Sequence, residues 1–419
     1  MAPLTPFVLR ALAIATLTFP AQADAPLTWE ACVQEAWARN ADVRTARATL
    51  EASRFQLQSA YSGYLPQLSA STSYTDINDP AATGTSTPYT ASISVTQNLF
   101  AGFQDQGKVA QGAANYTVAE AGLAAAAARL NHDLRSAFAG LSYAQNNFTL
   151  TDEIVRRLQE NVRLVELRYE GGRENKGSYL LTKATLGQAR FEHLQARQAL
   201  ATAQAQLARA LGREPSDELR VTGAAPGELP PAKPDFVRLA EQTPEYRQAV
   251  AQEKSAAAGV TLARAPLYPS LNLTGTTARD GANWFPDDQR RTVGLTLSVP
   301  IFSGGKDYYG AKGAISNLAA ATSSKESVDR QVLVKLKQAH AAFVESVEKL
   351  KVDEDFLEAA ATRADIARAK YQNGLISFED WDRIENDLIL RQKTLLQSRR
   401  ERVNAEAVWE LTIGRGLAP

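Results

Sequence analysis

The chain is written twice. Tyr169 of the segment RYEGG is answered by Tyr371 of KYQNG, 202 positions on, and the register runs without a gap to Gly212/Gly414 and Arg213/Arg415. Leu186/Leu388, Leu194/Leu396, Gln195/Gln397 and Arg197/Arg399 are identical pairs on the way. Earlier segments match as well: YLPQL at 64–68 answers LYPSL at 267–271, and LFAG at 99–102 answers IFSG at 301–304. A steady offset over most of a chain marks a duplicated structural unit, so what the first half builds the second half must build again. The reading divides the chain into a leader at 1–23, a first repeat at 24–213, a linker at 214–234 and a second repeat at 235–419.

Proline placement says what each unit is made of. No Pro occurs at 27–65, 89–214 or 301–418. A Pro inside a helix costs about 3 kcal/mol, so these stretches are free to be helical. They also carry heptad steps: Leu333, Leu336, His340, Phe343, Val347, Leu350 and Leu357 in one, Val155, Leu158, Val162, Val165 and Tyr169 in the other. Such seams pack against neighbouring helices. From Gln104 to Tyr169 there is no strong breaker, which implies a helix roughly 100 Å long. Gly171-Gly172 and Asn373-Gly374 supply the left-handed residues that end such helices. Each unit therefore reads helix, strand, strand, very long helix, turn, helix.

Composition narrows the class. Lys plus Arg and Asp plus Glu are 46 each, so the net charge is zero, against the basic excess of a nucleic-acid binder. One Cys excludes a disulfide framework and a Cys-rich zinc site. Residues 1–23 read as a secretory signal: Arg10, an apolar run at 11–19, then Ala21-Gln22-Ala23 before Asp24. Cys32 lies beyond that site in an amphipathic segment, so no lipid anchor is expected and a buried small apolar side chain is.

The strands, at about 65–77, 89–100, 268–279 and 291–302, alternate. Val293, Leu295, Leu297, Val299 and Ile301 fall on one side, with Thr292, Thr296 and Ser298 on the other. The pattern fits a lipid-facing membrane β-strand, and equally an ordinary amphipathic hairpin. Four strands cannot close a barrel, and open edges are not tolerated in lipid, so membrane strands here require several chains in one barrel. Polar loops are expected near Asp76–Thr87 and Arg279–Arg291, with Trp284 and Phe285 at one tip.

The segments LTWEACVQEAWARNADVRTARATLEA (27–52), GYLPQLSASTSY (63–74), QNLFAGF (97–103), VPIFSGGK (299–306) and KYQNGLISFEDWDRIENDLI (370–389) together resemble the TolC-type outer membrane efflux proteins, the outer membrane factors. The resemblance covers nearly all of the chain after the leader. It implies a mainly α protein with a β-barrel portion. It also implies a homotrimer whose twelve-stranded outer-membrane barrel continues as an α-helical coiled-coil tunnel through the periplasm. Implied partners are a periplasmic adaptor, an inner-membrane pump or ABC transporter, and outer membrane lipid. Drugs, metals or secreted proteins would leave through the duct of an efflux or type I secretion system, in a Gram-negative cell, with no cofactor and no catalysis.

The resemblance also points to site residues. Aligned on Gly374, the first acid of the family's pore constriction falls on Asp380 and the second on Arg383, a departure that Glu379 and Asp382 flank. Three copies of one carboxylate around a narrow pore attract cations. The bland alternative for Asp380 is a solvated helix start, where acids are routine. Tyr371 is implied to hold the closed state, whereas Tyr169 reads as the end of its seam. Gly172, Arg173, Glu174, Gly374, Leu375, Ile376 and Ser377 form the two tips implied to dock on the adaptor. His340 reads as a packed residue; His132 and His193 have no metal-spaced partners, and no catalytic triad, phosphate loop or HExxH is present. A periplasmic adaptor or coiled-coil scaffold is the alternative from another class, since adaptors also carry long helical hairpins.

Overall fold

In the computed structural model the described residues are 26–75, 89–214 and 218–417. The expected leader and the first polar loop, 76–87, fall outside them. Each half lays down the same series. The first is α1 (Trp29–Arg39), α2 (Ala41–Ala60), β1 (Gln67–Tyr74), β2 (Tyr89–Ala101), α3 (Gln104–Glu170) and α4 (Lys176–Leu211). The second is α5 (Phe236–Gln242), α6 (Pro244–Arg264), β3 (Ser270–Gly281), β4 (Asp288–Ser298), α7 (Lys306–Gln372) and α8 (Phe378–Thr412). α3 and α7 have 67 residues each, about 100 Å of helix.

The helices obey their end signals. Asn40, Asn175, Thr243 and Ser377 cap N-termini with side-chain acceptors. Both long helices end in the same turn: Arg173 N–H donates to Arg168 O (2.8 Å) and Leu375 N–H to Lys370 O (2.9 Å), with Gly172 at φ 65° and Gly374 at φ 73°.

The core lies at mid-height of the long helices and is itself duplicated. Leu130, Leu134, Ala137 and Leu141 of α3 are buried against α1 and the end of α4; Val332, Leu336, Ala339 and Phe343 of α7 are buried against α5 and Trp409. These residues correspond one to one at the repeat offset. Phe138, edge-on to Trp29 at 5.6 Å, has His340 as its counterpart, set between Phe236 and Trp409 and bonded to Pro231 O at 2.8 Å. His340 is thus a packed residue, as its seam position implies. Cys32 is fully buried, and desolvation pushes its thiol up to about 11. Between the halves the linker is fastened by buried charge. Arg135 binds Glu410 (2.7 Å) and Pro226 O (2.8 Å), and Glu228 N–H donates to Glu406 (2.6 Å).

The seam of α3 departs from the sequence reading. Thr151, Ile154, Leu158, Asn161 and Val165 are its buried residues, while Val155 and Val162 are half-buried and Tyr169 is exposed. α3 packs against α4 on one side and α8 on another, so its buried stripe is set by two neighbours at once.

The sheet runs β1-β2-β3-β4, antiparallel throughout, and the β2–β3 pairing joins the two repeats. β1 and β4 are each paired on one side only. One face carries Ser71, Ser92, Ser94, Thr274 and Thr276, with Ser71 bonded to Ser92 (2.9 Å) and Ser94 to Thr276 (3.2 Å). The other carries Leu68, Ile93, Val95, Leu271, Leu273, Val293, Leu295 and Leu297.

Two expectations need correction here. β4 starts at Asp288 and ends at Ser298, so Val299 and Ile301 lie beyond it, because Pro300 has no N–H to continue the ladder. Both remain exposed. The second loop is shorter than expected: β3 runs on past Arg279 to Gly281 and β4 begins at Asp288, before Arg291, so the two arginines expected at the strand ends pair with Gln289 and Thr277 inside the sheet and the loop is only 282–287.

Candidate functional site

The two hairpin turns come together at the end of the molecule farthest along the chain from the sheet. Between them lies a small apolar core of Val165, Ala367, Tyr371, Phe378 and Trp381, with Leu164, Tyr179, Ile376 and Ile384 at its margin. Tyr371, the last aromatic before the second turn, is 1% exposed and stacks flat on Trp381 at 4.4 Å. Its hydroxyl leaves this core and donates to Glu174 Oε2 of the first turn at 3.0 Å. The other oxygen of Glu174 accepts from the Asn175 N–H at 3.1 Å, which fixes the carboxylate. From the first hairpin Arg168 donates to Tyr371 O at 2.9 Å and lays its guanidinium over the Tyr371 ring at 4.6 Å. The two hairpins are therefore latched through one tyrosine, gripped by a cation at its carbonyl and a carboxylate at its hydroxyl. Desolvation and the Glu174 bond raise the phenol above its ordinary range, so it stays a donor at neutral pH.

The acids past the second turn stand in different surroundings. Asp380 is the third residue of α8 and is bonded twice to its N-cap Ser377: Asp380 N–H donates to Ser377 Oγ, and Ser377 Oγ donates to Asp380 Oδ2, each at 3.1 Å. Its other oxygen holds Arg383 at 2.7 Å. Both side chains are mostly exposed, so the pair contributes only about 0.2–1 kcal/mol to stability. Arg383 is thus a direct partner of Asp380, which the alignment alone did not reveal. Glu379 is exposed beside them. Asp382 is half-buried; burial holds its carboxyl above the ordinary range, and Asn386 at 3.0 Å draws it back. One turn on, Glu385 is buried and paired with Arg368 at 3.0 Å.

Of the two tips, Gly172, Arg173, Gly374, Leu375 and Ser377 are exposed. Glu174 and Ile376 are not free tip residues: the first is bound to Tyr371 and the second packs on the apolar core. Arg168 and Trp381 were missed in the sequence. Arg168 has the unremarkable Lys370 as its repeat counterpart, and the one available signal for Trp381 was its aromatic character three residues after Phe378.

At the opposite end the apolar sheet face is bounded by aromatic clusters. Tyr74, Tyr89 and Trp284 meet at ring distances of 4.9 and 5.7 Å on the loop side. Phe100, Phe103 and Tyr268 meet at 5.4 and 5.6 Å on the helix side. The eleven steps from Tyr89 to Phe100 span about 36 Å of strand, or roughly 28 Å at the tilt of a membrane barrel, close to the lipid band between aromatic girdles. Among the described residues no helix is long and apolar enough to cross a membrane, and no cluster of three His, Cys, Asp or Glu side chains suits a metal.

A sheet with one polar and one apolar face between aromatic clusters, continued by two duplicated 100 Å hairpins, defines an outer-membrane channel protein with a long helical extension. The family described as outer membrane efflux protein matches residues 32–213 and 237–414, and the chain belongs to it. It is 22% identical to the outer membrane efflux protein BepC of Brucella suis biovar 1 (strain 1330), over 98% of this chain and 90% of that protein. Its fold is shared with CusC, whose crystal structures concern folding and transmembrane channel formation. There the TM-score is 0.82 at 18% identity, covering 94% of this chain and 96% of that one. It is shared also with VceC of Vibrio cholerae, with TM-score 0.81, 19% identity and coverage of 93% and 96%. The protein is an efflux channel of the outer membrane.

Proposed function

We propose that three copies of this chain close one twelve-stranded barrel and continue it as a tunnel through the periplasm. The duct passively conducts substrates delivered by a periplasmic adaptor and an inner-membrane pump or ABC transporter. The observation that carries this reading is the sheet: four strands, an apolar face of membrane height, and two unpaired edges. Such edges are not tolerated in hydrocarbon and are removed only by pairing β4 of one copy with β1 of the next. The direction of the strands supports it, because β1 and β4 run antiparallel to one another in a four-stranded meander.

In this reading Val293, Leu295 and Leu297, with Val299 and Ile301 beyond the strand, face lipid. Tyr371 latches the periplasmic end shut through Glu174 and Arg168. Asp380 and Arg383, with Glu379 and Asp382 beside them, line the constriction. The exposed tip residues Gly172, Arg173, Gly374, Leu375 and Ser377 meet the adaptor. The leader at 1–23 directs the chain across the inner membrane. The protein works as a conduit rather than an enzyme, with no cofactor and no nucleic-acid partner, and the energy comes from the pump. Outer-membrane fractions should yield a trimer that dissociates on heating; recovery as a soluble periplasmic monomer contradicts the reading.

A further inference from the structure

The apolar face of the sheet does not run unbroken to its loop-side aromatic cluster. Following the register from the middle outward, Leu68, Val95, Gly275 and Val293 share one row, and Ala70, Ile93, Thr277 and Arg291 the next. Thr72, Ala91, Arg279 and Gln289 follow, and then Tyr74 and Tyr89. Two arginines therefore stand on the apolar face, Arg279 one row and Arg291 two rows inside the aromatic row, on neighbouring strands and diagonal to each other. Side chains so placed are roughly 7–8 Å apart at the backbone, within reach of one shared ligand. Both are exposed, and neither makes an ion pair among the described residues. Arg290, by contrast, points to the polar face and pairs with Asp280 at 3.5 Å.

The other end of the same face has no such row. There Leu271, Leu297 and Phe100 lead directly to Phe103 and Tyr268. The face is asymmetric: cationic at its loop end and uncharged at its helix end, where Gln97 is the one polar residue in the row of Leu273 and Leu295. An unpaired arginine on a lipid-facing strand costs about 2–4 kcal/mol at the midplane and about 0–1 near the interface, where it can extend into the headgroups. Two of them in one place, forked and permanently charged, suit the oxygens of a phosphate.

We propose that Arg279 and Arg291 together grip a phosphate on the headgroup of a lipid in the outward leaflet. Three copies would give a ring of three such sites around the barrel. Tyr74, Tyr89 and Trp284 lie immediately above the arginines and would contact the sugar or glycerol part of the headgroup. The inference rests on the reading of the apolar face as lipid-facing.

Its test is native mass spectrometry on purified trimers in detergent, given lipid A carrying both phosphates, dephosphorylated lipid A, or inorganic phosphate. Wild type is expected to retain the phosphorylated lipid at least tenfold better than the dephosphorylated one. Arg279→Gln with Arg291→Gln should lose that preference, and Arg279→Lys with Arg291→Lys should keep part of it. Millimolar inorganic phosphate should not displace the lipid. Equal retention of the two lipids, undiminished retention by the Gln variant, or full displacement by inorganic phosphate would each overturn the proposal. Planar-bilayer currents from the same preparations separate the two levels. Conducting Gln-variant trimers that keep the lipid refute this site alone, whereas wild-type trimers that never conduct refute the duct reading and this inference with it.

Discussion

The hydroxyl of Tyr371 reaches Glu174 at 3.0 Å across 197 positions of sequence, and this bond joins the tip of one repeat to the tip of the other. Tyr371→Phe removes the hydroxyl and leaves the stacking on Trp381 intact. A hydrogen bond to a charged group contributes about 1.5–3 kcal/mol, less where water reaches it. Amide hydrogen exchange around 168–176 and 371–381 should therefore quicken about tenfold in the variant, with the core at 130–144 unchanged. Identical exchange at the tips would show that the bond holds nothing.

Asp380 and Arg383 should act in opposite directions on ion preference. Arg383 neutralises the carboxylate that three copies would present to the pore. Asp380→Ala is expected to lower the cation preference of single channels, and Arg383→Ala to raise it. Reversal potentials in a salt gradient read both. Matching potentials in wild type and the two variants would remove this pair from the constriction.

Position on the sheet should decide the cost of a charge. Val293→Arg places a cation in the middle row of the apolar face and should cost about 2–4 kcal/mol, seen as loss of assembled trimer from outer membranes. Thr276→Arg, on the polar face, should assemble. Equal yields would mean that the apolar face does not meet lipid.

Two glycines with the same left-handed backbone should differ in what they tolerate. At Gly172, φ 65°, an added Cβ meets nothing within 4 Å. Gly172→Ala should cost about 1–2 kcal/mol for the backbone alone. At Gly102, φ 58°, the same Cβ would lie 2.4 Å from Ala265 O, at the corner where β2 passes into α3. Gly102→Ala should be clearly the worse of the two by thermal melting; parity would mean that the corner yields freely.

Glu406 makes stability depend on pH. Desolvation raises its carboxyl above the ordinary 4.5, against the pull of the Glu228 N–H and of Arg135 and Arg402. A raised native value means that its contribution is fullest below 4.5 and is lost as the pH climbs through the native value. Glu406→Gln keeps an oxygen for the Glu228 N–H and should melt a few degrees above wild type at pH 7, with the gap closing toward pH 4. A gap that does not change with pH would assign the effect to packing.

The helices were legible because their signals are local. Long Pro-free stretches, with Gly172 and Gly374 at the turns, mark their ends within a few residues. The duplication then showed that two such hairpins exist. What escaped was set between elements. The buried stripe of α3 runs through Ile154 and Asn161 rather than Val155 and Val162 because α4 and α8 both press on it. The polar stretch between Arg279 and Arg291 read as a loop, yet cross-strand pairing carries β3 to Gly281 and starts β4 at Asp288. The Tyr371 latch needed Glu174 and Arg168 from the other repeat, and no spacing in the sequence announces a partner nearly two hundred residues away.

The most direct test of a latched duct is single-channel conductance of purified trimers in planar bilayers. Wild type should show small, steady currents, and Tyr371→Phe combined with Arg168→Ala should raise them several-fold, because both grips on Tyr371 are lost. Currents in the double variant indistinguishable from wild type would contradict the latch, and the absence of any channel from outer-membrane trimers would contradict the duct itself.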